Sequence, residues 1–127
     1  MSSFFYVALG GALGASARHG LGLMTLRSFG PGFPVGTLLA NVIGGLLMGL
    51  LVGWLALRGG ADQNVVRLFA GVGLLGGFTT FSAFSLDAFR MFETRAYGQF
   101  LGYVGASVVL SILAVAVGLW FSRKLFT

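Results

Sequence analysis

The stretch Gly73 to Ser85, G-L-L-G-G-F-T-T-F-S-A-F-S, decides how the rest of the chain is read. It lies in a run apolar enough for a membrane helix, yet it is not built like one. Gly76-Gly77 is the weakest point a helix can have. Thr79, Thr80, Ser82 and Ser85 carry hydroxyls to membrane depth, and Phe78, Phe81 and Phe84 recur every three residues along one side of a helical turn. Broken backbone at that depth is tolerated only where protein buries it or where it lines a cavity. A broken helix also frees main-chain carbonyls and amides, which are ion ligands. Two readings are open: an ion site made of backbone with a polar and aromatic pathway beside it, or a glycine-rich packing kink with core aromatics.

Composition narrows the solvent before it narrows the function. The 127 residues suit one domain; 57% are hydrophobic and 9% charged, whereas a soluble domain carries about a quarter charged residues. With a mean hydropathy of +0.94, the bilayer is the medium that fits. There is no cysteine, which excludes a disulfide, a thiol nucleophile and a zinc cluster. The net charge of +5 comes from residues scattered between apolar runs. They suit helix ends anchored at headgroups, not a nucleic-acid surface. No pair of carboxylates, no Ser/His/Asp set and no His/Cys cluster is present, so an enzyme is not expected. Met1-Ser2-Ser3 lacks a positive side chain, and apolar character resumes after Arg18-His19. The first run therefore reads as a retained membrane helix and not as a signal peptide.

Working outward, spans of about 20 apolar residues predict an all-α membrane protein with four transmembrane helices. They are expected near 3–24, 35–57, 64–92 and 97–122, the third broken near its middle at 76–80, in one domain over 1–127. Pro34 suits the first turn of the second helix. Arg58 to Gln63 is expected as a loop and Glu93-Thr94-Arg95 as a short turn. Four spans put Arg58, Arg67, Arg123 and Lys124 on one side and Arg18, Arg27, Arg90 and Arg95 on the other, four against four. The positive-inside rule then gives almost no orientation preference. Insertion in both directions with antiparallel dimerisation is one explanation; a partner that fixes topology is another. Glycine pairs at i, i+4 (Gly10-Gly14, Gly45-Gly49, Gly49-Gly53, Gly73-Gly77, Gly98-Gly102) argue for close helix packing.

Polar residues inside the spans are the functional candidates. Thr37 and Asn41 share one face of the second helix. An unpaired amide in an apolar medium costs several kcal/mol, so Asn41 needs a partner: a neighbouring helix, or a permeant ion. Tyr103, Ser107 and Ser111 form a polar line at i, i+4, i+8 on the fourth helix. Phenyl edges carry partial positive charge. Phe81 and Phe84, with Ser82, Asn41 and the Tyr103 line, would therefore solvate a small anion without a fixed charge to trap it. Helix packing is the alternative for each. Arg18 is expected to snorkel as an anchor, His19 to be interfacial, and Asp87 to pair with Arg90 or to line a vestibule.

G-G-F-T-T-F-S-A-F-S at Gly76 to Ser85 resembles the G-G-x-T-T-F-S-T-F-S signature of the Fluc (CrcB) fluoride channels. G-T-L-L-A-N-V-I-G-G at Gly36 to Gly45, G-A-S-A-R at Gly14 to Arg18, and Tyr103 with G-A-S at Gly105 to Ser107 and then Ser111 resemble that family's other three helices. The resemblance covers the whole chain. It implies an antiparallel, dual-topology homodimer in the bacterial inner membrane, passing fluoride out of the cytoplasm and so relieving its toxicity. Phe81 and Phe84 would contact fluoride, Asn41 would donate to it, and Thr37, Ser82, Tyr103, Ser107 and Ser111 would fall on the polar pathway. A structural sodium ion at the dimer interface would be held by the main-chain carbonyls of Gly76 and Thr79 from both subunits; no organic cofactor is implied. Ala83 stands where the family usually has threonine, and Asp87 where many members carry glutamate. The alternatives are a small dual-topology proton-coupled multidrug exporter, which needs an acid in the first helix that residues 3–24 lack, and a non-transporting scaffold.

Overall fold

A computed structural model describes residues 2–58 and 63–126. Its elements are α1 (Ser2–Phe29), α2 (Val35–Arg58), α3 (Gln63–Val66), a π-helical segment (Arg67–Leu75), α4 (Gly76–Phe78), α5 (Ser82–Glu93) and α6 (Tyr97–Phe126). The described residues contain no strand. Three stretches are long and apolar enough to cross a membrane: Val35–Arg58, Gln63–Glu93 and Tyr97–Leu125. The middle one is the bent helix. At 28 residues α1 is of spanning length too, but Arg18 and His19 dilute its apolar character.

Helix ends differ from expectation for local reasons. The first helix runs past residue 24 to Phe29, where Gly30 takes φ 76° and its amide donates to the Leu26 carbonyl at 2.9 Å. That left-handed glycine is a standard helix stop. The fourth continues past 122 to Phe126. Between α5 and α6, Arg95 takes φ 63°. The Ala96 amide donates to Met91 (2.9 Å) and the Arg95 amide to Phe92 (3.1 Å), the Schellman pattern with an arginine in glycine's usual place. The loop expected at 59–62 lies outside the described residues.

Two glycine seams set the packing. On one, α1 meets the π segment and α4: a Cβ on Gly10 or Gly14 would overlap backbone of residues 69–78, and one on Gly77 would lie 2.7 Å from the Gly11 carbonyl. On the other, α2 meets α6: Gly45 faces the Ser111 carbonyl, Gly49 faces Val115 and Gly118, and Gly53 faces Ser122. Residue numbers rise together along both seams. Thus α1 runs parallel to the third helix and α2 runs parallel to α6, as an up-down order requires.

The break falls at the end of the expected 76–80 stretch, at the threonines and not at the glycines. Gly76 (φ −62°, ψ −39°) and Gly77 remain helical; the seam with α1, not weakness, accounts for Gly77. The chain leaves the helix at Thr79 (φ −87°, ψ 155°) and resumes at Ser82.

Candidate functional site

Two threonines make the break. The Thr79 amide and hydroxyl both donate to the Leu75 carbonyl, each at 3.0 Å, ending the first half of the helix. The Thr80 hydroxyl accepts the Ala83 amide at 3.1 Å, which caps the start of α5. Between them, α2 supplies the missing partner. Asn41 Nδ2 donates to the Thr80 carbonyl (3.0 Å), and the Thr80 amide donates to Asn41 Oδ1 (2.8 Å). Asn41 is therefore interhelical glue, fastened to broken backbone at both ends of its amide. One Nδ2 hydrogen is left over.

This arrangement diverts donors that a continuous helix would use. The Thr80 amide, normally the partner of the Gly76 carbonyl, goes to Asn41, and the Ala83 amide, normally that of Thr79, goes to the Thr80 hydroxyl. Arg18 Nε donates to the Gly77 carbonyl at 3.3 Å. This arginine does not merely snorkel; it reaches to the carbonyl end of α4, where a cation is favoured.

Beside the break lies an open groove of about 610 Å³, walled by α2, the break and α6. It gathers Asn41, Gly76, Thr79, Phe81, Phe84, Ser107 and Ser111 from the sequence-derived candidates, and adds Gly44, Gly45, Met48 and Thr80. The Phe81 and Phe84 rings are 5.6 Å apart at 45°. Phe84 is buried, whereas Phe81 is 79% exposed on the open side. The decisive feature is on α6. The Ser107 and Ser111 hydroxyls are buried and have no hydrogen-bond partner. Serines in membrane helices usually bond back to the preceding turn, and an unmet buried hydroxyl costs about 1–3 kcal/mol.

Three candidates fall outside the groove's lining. Tyr103, 0% exposed, sits behind Phe84 with ring centroids 5.2 Å apart, and Phe33 packs on its other side at 5.5 Å. Its hydroxyl donates to Asp87 Oδ2 at 3.3 Å, with Thr37 beside it. Asp87 thus pairs with Tyr103; no ion pair with Arg90 is found among the described residues. Ser82 is exposed at the start of α5, its hydroxyl 3.2 Å from that of Thr80. The sequence reading missed Thr80 as the residue Asn41 holds, and it gave Arg18 too small a part. The T-T pair and the G-A-S-A-R motif were the available signals.

The profile of the family described as "CrcB-like protein, Camphor Resistance (CrcB)" matches residues 5–119. The chain belongs to the CrcB family. CrcB relatives align end to end. "Fluoride-specific ion channel FluC" of Caulobacter sp. (strain K31) is 54% identical over 127 residues, covering 100% of this chain and 99% of the relative. The protein of the same name from Phenylobacterium zucineum (strain HLK1) is 54% identical over 126 residues, with 99% of each chain covered. That from Hyphomonas neptunium (strain ATCC 15444) is 48% identical over 126 residues, again with 99% of each covered. With its long apolar helices, this CrcB chain is a multi-pass membrane protein.

Proposed function

We propose that this chain is a passive, fluoride-selective channel that works as an antiparallel homodimer and lets a bacterial cell shed fluoride across its inner membrane. The observation that carries it is the pair of buried, unpartnered hydroxyls of Ser107 and Ser111, two residues that line one groove with Phe81 and Phe84. Full-length relatives named fluoride-specific channels support the ion's identity.

The chemistry suits a small, strongly hydrated anion. Hydroxyl donors and ring edges replace its water without a fixed countercharge, so binding is strong enough to admit the ion and weak enough to release it. The spare Asn41 hydrogen is a third donor. Tyr103, with Asp87 and Thr37, continues the polar line behind Phe84, and Ser82 lies where the line meets the open side. Chloride, larger and a weaker acceptor, gains less from the same donors. No carboxylate lines the groove, so the proton-coupled exporter draws no support from it. Nor does any group there suggest an enzyme.

Several features support four spans and a dimer. Because α1 runs parallel to the third helix along their glycine seam, it shares that helix's depth, so α1 crosses too, in a single four-helix domain. The groove is open on one side, with Phe81 outermost, and a second copy would close it. The balanced count of arginine and lysine permits that copy to be inverted. The residues also fit a sodium ion: Gly76 and Thr79 lie beside the groove, their carbonyls have lost their helical donors, and carbonyl oxygens suit a hard cation. Bound there, sodium would cross-link the two broken helices.

Liposomes carrying the purified protein, read with fluoride and chloride electrodes beside a potassium ionophore, test the proposal. Rapid fluoride loss with negligible chloride loss is expected. Retention of fluoride by an assembled dimer would overturn it.

A further inference from the structure

We propose that Gly44 is a positioning residue for the break: its missing side chain is the socket that seats Thr79 and so aims the Thr79 carbonyl. This rests on the reading of that carbonyl as an ion ligand. A Cβ built on Gly44 would overlap the Thr79 Cγ2 methyl, while the next neighbour, Phe78 Cδ2, is at an ordinary 3.5 Å. Thr79 is thereby fixed at two points. Its hydroxyl is bonded back to Leu75 at 3.0 Å, and its methyl lies against Gly44. One side-chain rotamer satisfies both.

The carbonyl of Thr79 belongs to the same trans peptide as the amide of Thr80, and that amide points at Asn41 Oδ1. In a planar trans peptide the two groups point in opposite directions. The Thr79 carbonyl is therefore directed away from α2. Two residues of one α2 face, three apart, set it: Asn41 holds the amide, and Gly44 sets how closely Thr79 approaches. Gly45, the next residue, has a different task, since its Cβ would meet the Ser111 carbonyl of α6 at 2.9 Å.

The socket is testable because one methyl group accounts for the overlap. G44A, T79S, the G44A/T79S pair, G45A and G45A/T79S are compared with wild type. The readouts are initial fluoride efflux from liposomes and melting temperature in detergent, in sodium and in N-methylglucamine salts of equal ionic strength. G44A is expected to lower efflux by about tenfold or more, as misplacement of a ligand group does, and to lose the sodium-dependent rise in melting temperature. T79S alone lowers efflux to a smaller degree. The G44A/T79S pair should return to the T79S level in both readouts, whereas G45A should not be rescued by T79S. Wild-type behaviour of G44A, or a G44A/T79S pair as impaired as G44A, would overturn the socket. A wild-type protein that passes no fluoride would sink the channel reading instead. The socket would then stand or fall on whether T79S restores the melting temperature lost in G44A.

Discussion

The two ends of the α2–α6 contact treat serine in opposite ways. At the far end Ser122 is fully buried, its hydroxyl donating to the Leu50 carbonyl at 2.7 Å, and it fits against Gly53 with no room left. Nearer the start of α6, Ser107 is buried and Ser111 half-buried, yet their hydroxyls, both out of reach of solvent, bond to nothing. The broken third helix makes the difference. Where glycine meets glycine the helices close and a serine becomes glue; where Phe81, Phe84 and Thr80 intrude, a groove opens and the serines keep their donors free. The same residue type in the same membrane thus serves cohesion in one place and solvation in the other.

The largest effect should follow from removing what holds the groove open. Asn41→Leu leaves both backbone groups of Thr80 unpaired, which costs about 2–5 kcal/mol in an apolar setting. Loss of the discrete peak in size-exclusion chromatography, together with loss of efflux, is expected. A monodisperse, conducting variant would show that α2 does not hold the break.

The contrast between the serines themselves is sharper. Ser107→Ala and Ser111→Ala each remove a donor worth about 1.5–3 kcal/mol to an anion, or about ten- to a hundredfold in efflux rate. Neither should lower the melting temperature, because no protein bond is lost. Ser122→Ala should do the reverse: efflux stays at the wild-type level, while the lost hydrogen bond costs about 1 kcal/mol of stability. If all three variants behave alike, the two ends of the seam are not different in kind.

The smallest effect lies outside the groove. Arg95→Gly removes a left-handed non-glycine residue, whose strain is about 1–2 kcal/mol and is partly offset by glycine's greater freedom when unfolded. A rise of a few degrees in melting temperature with unchanged efflux is the expected outcome.

How much of this was legible beforehand varies residue by residue. Apolar runs and their punctuation place the long helices within a few residues, because span length and hydropathy are local quantities. Phe84, Ser107, Ser111 and Asn41 could be named as candidates because a polar or patterned residue in an apolar run is conspicuous. The position of the break could be derived that way only to within 76–80. Glycine content pointed to Gly76-Gly77, but those residues stay helical and the backbone turns at Thr79. Propensity was overruled by α1 packing on one side and Asn41 on the other. The π-helical run Arg67–Leu75 has no sequence signal that we recognise.

What the sequence by itself determined is the class of the protein: a membrane chain of long helices, one of them interrupted, with polar side chains at depth. Composition and periodicity suffice for that, since both report the solvent each residue prefers. Only the tertiary structure decided which hydroxyls are spent and which remain free. Ser122, Ser107 and Ser111 are the same residue on one helix, and what separates them is whether a carbonyl of α2 or the gap beside a broken helix lies opposite. That is a property of packing, and no single segment carries it.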